Sequence, residues 1–246
     1  MLHHAGLAVL WLDNQAGCKG VCERVSEVRT TALKDPALCP DGECLDPIML
    51  KDLDQRLAEL PAEQRSRGTV VVMHQMGSHG PAYFKRSAPA LKKFQPECTS
   101  TNLQECTQEQ VVNAYDNSIV QTDQFLDSVL NWLSDQSDKA QTAMIYVADH
   151  GESLGENNIY LHGLPYSIAP DVQKHVPWIT WLSPAMQART HVTTGCLQQD
   201  VAQRRVTHDN YFHSVLGLMD VQTGAYSPAL DMFAGCRQQP NGPLAG

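Results

Sequence analysis

The chain has 246 residues, 42% of them hydrophobic, and a net charge of −9 with a pI near 5.5. That length and apolar content suffice for one compact domain with its own core, and the absence of any Lys/Arg cluster resembling a counterion-displacing stripe argues against nucleic acid as a partner. The longest apolar stretches, Gly68 to Met73 and Ala143 to Val147, are far shorter than the ~20 residues a membrane-spanning helix needs.

Met1 to Leu10 has two histidines and no basic region ahead of an apolar core, so it is not a secretory signal, and any export signal or anchor is expected outside this chain. The first apolar run, Leu7 to Trp11, reads as a buried strand. Cys18/Cys22 and Cys39/Cys44 follow in polar, Gly- and Pro-bearing segments, and Cys98/Cys106 forms a third close pair. Short spacings also serve structural zinc, but an even count in closed loops favours disulfides and an oxidising compartment. The pairing of Cys196 and Cys236 stays open. A second strand is expected over Val70 to Met73, a third over Met144 to Val147 and a fourth over Trp178 to Leu182. A long helix is predicted from Thr107 to Ser134, with Val112, Tyr115, Ile119, Thr122, Leu126, Val129 and Leu133 as its buried stripe. A further helix is predicted from Thr207, capped by its hydroxyl and burying Phe212, Val215, Leu216 and Met219. Alternating strands and helices predict an α/β fold over residues 1–237, with a frayed tail at 238–246.

In an open α/β sheet, ligands sit beyond the carboxyl ends of the strands. After the strand ending at Val147 comes Asp149-His150-Gly151-Glu152-Ser153-Leu154-Gly155-Glu156, with His162 following in Leu161-His162-Gly163. After Met73 comes His74-Gln75-Met76-Gly77-Ser78-His79-Gly80-Pro81. A carboxylate beside an imidazole at a strand end offers two ligands to one divalent cation, and an adjacent glycine lets the backbone aim both. Oxygen and nitrogen donors of this kind suit zinc. The candidate ligands are Asp149, His150, His79 and His162, and the reaction class they indicate is a metal-dependent hydrolase or transferase. His74 reads as structural; His3, His4, His175, His191, His208 and His213 are left outside the site. The spacing of Glu152 and Glu156 suits loop hydrogen bonding as well as metal contact, and neither is named as a ligand; Asp116 reads as a polar packing contact on the long helix.

These motifs, together with Trp11-Leu12-Asp13-Asn14, Cys18-Lys19-Gly20-Val21, Ala114-Tyr115-Asp116-Asn117 and Thr207-His208-Asp209-Asn210, resemble the lipid A phosphoethanolamine transferases, including the mobile colistin-resistance enzymes, within the alkaline phosphatase and sulfatase superfamily. The resemblance implies a three-layer sandwich around a central, mostly parallel sheet. It implies that Asp149 and His150 are ligands of a tightly held Zn2+, that His79 and His162 lie on the second-metal or substrate-phosphate side, and that Lys19 meets the substrate phosphate as a point charge. The family reaction it implies is two-step transfer: a threonine hydroxyl takes phosphoethanolamine from phosphatidylethanolamine, and a phosphate of lipid A, or another envelope glycan, accepts it. The product carries less negative charge for cationic peptides such as polymyxins to bind.

The resemblance also sets expectations of what the chain lacks. The family's membrane helices, its first strand with a metal-binding glutamate and the helix bearing the nucleophilic threonine correspond to no part of this sequence. No catalytic nucleophile is therefore assigned, and the chain alone is expected to be inactive. Membrane contact would come through the parent protein's N-terminal helices, at the periplasmic face of the inner membrane. The competing readings are a sulfatase or phosphomonoesterase of the same superfamily and a non-catalytic remnant.

Overall fold

A computed structural model describes residues 1–40 and 42–237; the tail predicted at 238–246 lies outside the described residues. The strands are β1 (Ala8–Asp13), β2 (Ser26–Arg29), β3 (Thr69–His74), β4 (Ala143–Val147), β5 (Ser153–Leu154), β6 (Tyr160–Leu161) and β7 (Trp178–Leu182). The four apolar runs read from the sequence correspond to β1, β3, β4 and β7, each within two residues at either end. The chain divides into two compact units.

The first unit holds Gly6–Asn131 and Val147–Pro177. Its sheet has the order β2-β1-β3 and is parallel throughout, with Ala8 opposite Thr69 and Asp13 opposite His74. The central strand β1 is buried on both faces, as its unbroken Ala-Val-Leu-Trp-Leu run requires. Its last residue, Asp13, is buried and receives His74 Nδ1 at 2.6 Å, while Trp11 meets the His74 ring edge-on. These contacts agree with a structural role for His74. The short β5–β6 hairpin is antiparallel, with Ser153 opposite Leu161.

The second unit holds Met1–Ala5, Trp132–Tyr146 and the described residues from Trp178 onward. Strands β4 and β7 pair in it. Leu182, Met186, Val192, Leu218, Met232, Phe233 and Cys236 form its core. The architecture is thus α/β with a parallel three-stranded sheet, and the β4–β7 pair forms a separate sheet. No helix among the described residues is long and apolar enough to cross a membrane.

Two helical expectations need correction. The long helix runs Gln108–Asp135, but its buried face is Val111, Ala114, Asn117, Ser118, Gln121, Thr122, Phe125 and Val129, and Ile119 is exposed. Apolar periodicity missed this because four of the inward residues, Asn117, Ser118, Gln121 and Thr122, are polar, and two of them bond the backbone of an irregular segment. Asn117 donates to the Phe94 carbonyl and accepts from its N–H, both at 2.9 Å, and Gln121 accepts from the Ala88 N–H at 2.9 Å. The later helix runs Asp209–Leu218 with His208 at its cap. Asn210 turns its side-chain oxygen back to the Thr207 N–H, so the cap differs from the predicted Thr207 hydroxyl. Leu216 is buried as expected, but Phe212 is exposed.

All three predicted disulfides form, Cys18–Cys22, Cys39–Cys44 and Cys98–Cys106, and the open question closes with a fourth bond, Cys196–Cys236.

Candidate metal centre

The first unit brings His79, His150 and His162 together. One ligand atom from each lies within 4.8 Å of the other two. The rings of His150 and His162 stack with centroids 3.7 Å apart, and His79 stands edge-on to both, at 5.9 and 5.0 Å. Ligand atoms of a tetrahedral zinc, with bonds of about 2.0–2.1 Å, stand about 3.4 Å apart, so the three imidazoles would draw together by up to about 1.4 Å a pair around an ion.

Each imidazole arrives differently. His150 follows β4, where the chain turns at Gly151 so tightly against the 172–173 backbone that a Cβ there would overlap the Val172 carbonyl oxygen. The Gly151 N–H is held by the Gln173 carbonyl at 3.0 Å. His162 follows β6 directly. His79 closes a turn in which its N–H donates to the Met76 carbonyl at 3.2 Å. Next to it, a Cβ on Gly80 would collide with Leu161 and the Tyr83 phenol.

All three rings use Nδ1 in the same way. His79 Nδ1 faces the Gly80 carbonyl at 2.7 Å, His150 Nδ1 the Gly151 carbonyl at 3.0 Å, and His162 Nδ1 the Glu152 carboxylate at 3.2 Å. Oxygen acceptors at those distances require Nδ1–H, so the neutral rings leave Nε2 with its lone pair. This is the arrangement by which an outer oxygen fixes the tautomer and orientation of a metal-binding imidazole. The donor set therefore fits zinc.

Asp149 is on the margin of this cluster. Its carboxylate accepts from the His150 N–H at 3.0 Å, and its other oxygen lies 3.8 Å from His150 Nε2. Two ligands of a tetrahedral zinc stand about 3.4 Å apart, so a few tenths of an ångström of closure lets the pair share an ion, and the Asp149 side chain is 83% exposed. Lys19 is exposed, in a left-handed conformation inside the Cys18–Cys22 loop; no contact joins it to the three imidazoles among the described residues. Cys18, Cys22 and Glu27 also converge, but the two sulfurs are bonded to each other, which removes thiolate ligation.

Glu152 is the residue whose role the sequence reading understated. Of the two roles its spacing allows, loop hydrogen bonding is present, since Glu152 accepts from the Gly80 N–H at 3.2 Å. The same buried oxygen also orients His162, so one carboxylate ties the His79 turn to the His162 loop. The ten-residue separation of Glu152 from His162 carries no periodic signal; only the β5–β6 hairpin brings them together. The other oxygen and the Tyr83 hydroxyl are both buried without a well-formed hydrogen bond. Burial, and then the Glu152 charge, raise the Tyr83 phenol above its ordinary range.

Residues 1–221 match the sulfatase family. The chain is 45% identical over 238 residues to the phosphoethanolamine transferase EptA of Salmonella typhimurium, covering 97% of this chain and 43% of that protein. It is 37% identical to the phosphatidylethanolamine transferase Mcr-1 of Escherichia coli, over 89% of this chain and 39% of the other. Among solved structures, the soluble domain of lipooligosaccharide phosphoethanolamine transferase A from Neisseria meningitidis superposes with a TM-score of 0.90 at 41% identity, covering 97% of this chain and 70% of that one. The chain thus spans less than half the length of the curated relatives it matches. It belongs to the sulfatase family and, within it, to the phosphoethanolamine transferases.

Proposed function

We propose that these residues form the zinc-binding part of an enzyme that transfers phosphoethanolamine from phosphatidylethanolamine to lipid A or another envelope glycan. The observation that carries this reading is the set of three imidazoles with Nδ1 committed to oxygen acceptors and Nε2 left for a ligand. The names of Mcr-1 and of the meningococcal protein support the donor and acceptor classes, and the backbone likeness to the meningococcal domain supports a layered, sulfatase-type fold.

In this reading Asp149 and His150 hold the tightly bound zinc, and His79 and His162 bind zinc beside them, on the side that faces the donor phosphoryl group. Bound zinc supplies Lewis-acid charge that makes a hydroxyl nucleophilic near neutral pH. Glu152 keeps His162 oriented with Nδ1 toward its carboxylate, and Lys19, unpaired among the described residues, offers a positive charge to a phosphate oxygen. We assign no nucleophile among these residues. Four disulfides support an oxidising location, here the periplasmic face of the inner membrane. The zwitterionic product would lower the surface charge to which polymyxins bind.

Calorimetric titration of the zinc-loaded chain with glycerophosphoethanolamine tests this. Binding that needs zinc and weakens in Lys19→Ala and His79→Ala supports it. Indifference to the ligand contradicts it, and hydrolysis of an aryl sulfate or aryl phosphate by the zinc-loaded chain favours the sulfatase or phosphomonoesterase alternative.

A further inference from the structure

We infer that Asp46 is a positioning residue for His79. The inference rests on the metal-site reading above and concerns a residue 104 positions from His150, 116 from His162 and 33 from His79 in sequence.

Asp46 opens the short 3-10 helix Asp46–Leu50, two residues after the Cys39–Cys44 disulfide. Its carboxylate is buried, and two of its three hydrogen bonds among the described residues come from backbone N–H groups of one turn. Oδ1 accepts from the Met76 N–H at 2.9 Å and Oδ2 from the Gly77 N–H at 2.9 Å. Oδ1 also accepts from Asn14 Nδ2 at 2.8 Å. Asn14 is itself buried, donates to the Cys44 carbonyl at 2.9 Å and accepts from the Thr30 hydroxyl at 2.9 Å.

The two backbone N–H groups that Asp46 holds begin the turn that ends at His79. Gly77 is in the left-handed region, φ 54°, where a turn needs external support or a glycine. The Met76 carbonyl on the other side of that peptide receives the His79 N–H. On the upstream side the Gln75 carbonyl accepts from Gln15 Nε2 at 2.5 Å, and the His74 carbonyl from the Asn14 N–H at 3.0 Å. Downstream, the His79 carbonyl accepts from Arg86 Nε at 3.0 Å, and Arg86 pairs with Glu43. The disulfide-closed segment therefore grips the His79 turn twice: Asp46 at its start and Glu43, through Arg86, at its end.

A buried carboxylate is costly unless its acceptor capacity is filled. Here it is filled by backbone N–H groups of a loop that has no strand or helix to fix it. The consequence falls on His79: without the carboxylate both N–H groups lose their acceptor, the turn is free to reorganise, and the imidazole loses its register with His150 and His162. Loss of an outer partner of this kind typically costs about tenfold to a hundredfold in metal affinity.

The test is a chelator-competition titration of zinc into the oxidised chain for the parent, Asp46→Asn, His79→Ala and Asp231→Asn. Asp231 is a buried carboxylate of the other unit, held by Tyr226 and Arg237, and its variant controls for general destabilisation. The expected result is a tenfold to hundredfold weaker zinc affinity for Asp46→Asn, in the same direction as His79→Ala, with Asp231→Asn binding like the parent even where its melting temperature falls as far. Should Asp46→Asn fail to fold, Asp46→Glu, whose longer side chain must push the turn outward, is read in the same way. Parent-like affinity in a folded Asp46 variant, with His79→Ala impaired, overturns the positioning role alone. Parent-like affinity in His79→Ala overturns both it and the metal-site reading.

Discussion

The imidazoles of His150 and His162 stack 3.7 Å apart at an interplanar angle of 28° although twelve residues separate them. The stack presents two imidazoles whose Nδ1 atoms already face oxygen acceptors, with His79 edge-on beside it. Replacing His150 or His162 by Ala removes a direct donor, and zinc affinity measured by chelator competition is predicted to fall by more than the roughly hundredfold upper range of an outer-shell loss.

Glu152 is the outer partner of His162 and also anchors Gly80. Glu152→Gln keeps the shape and removes the charge that favours Nδ1–H on His162. Zinc affinity is predicted to drop about tenfold to a hundredfold, with secondary structure by circular dichroism unchanged. A Glu152→Gln variant with parent affinity would remove this carboxylate from the site.

Gly151 passes too close to the Val172 carbonyl for any side chain. Gly151→Ala must move the backbone that carries His150, at a cost of about 1–3 kcal/mol by analogy with overpacking. Chemical denaturation should show that loss, and zinc affinity should fall with it.

The Tyr226 hydroxyl donates to the buried carboxylate of Asp231 at 2.7 Å, and burial followed by that bond pushes its pKa up to about 12. A folded-state pKa raised above the unfolded value means the folded chain holds the proton more tightly. The stabilisation is therefore complete below the unfolded phenol range near 10 and is lost as pH rises from there through 12. Thermal melts across pH 8 to 12 should show a steeper alkaline decline for the parent than for Tyr226→Phe.

Cys196–Cys236 closes a loop with a sequence separation of 40 onto the core of the second unit, where Cys236 packs with Met232 and Phe233. The chain-entropy model assigns a loop of that size about 4 kcal/mol. The double Cys→Ala variant is predicted to lose stability of that order in denaturant unfolding, with zinc binding retained below the transition.

Much of this was legible in the sequence, for identifiable reasons. The strands were visible because β1 and β3 carry unbroken apolar runs, and the candidate ligands because Asp149-His150-Gly151 and His79-Gly80 stand past strand ends, where an α/β sheet exposes its chemistry. The buried face of the long helix was misread because Asn117 and Gln121 point inward to satisfy backbone groups of an irregular segment, which hydrophobic periodicity scores as solvent-facing. Phe212 was placed in the core for the converse reason. The supporting contacts of Glu152 and Asp46 were illegible because they depend on which loops meet, through the β5–β6 hairpin and the packing of the Cys39–Cys44 segment, and no local pattern encodes that.

The central claim is that His150 and its neighbours bind zinc through Nε2. An anomalous difference map from crystals of the zinc-loaded chain, recorded on both sides of the zinc absorption edge, tests it most directly. The account predicts a peak within about 2.0–2.1 Å of His150 Nε2, with His79 and His162 turned toward the same space. No peak there, or one bonded to Nδ1 with the carbonyl contacts broken, would contradict it.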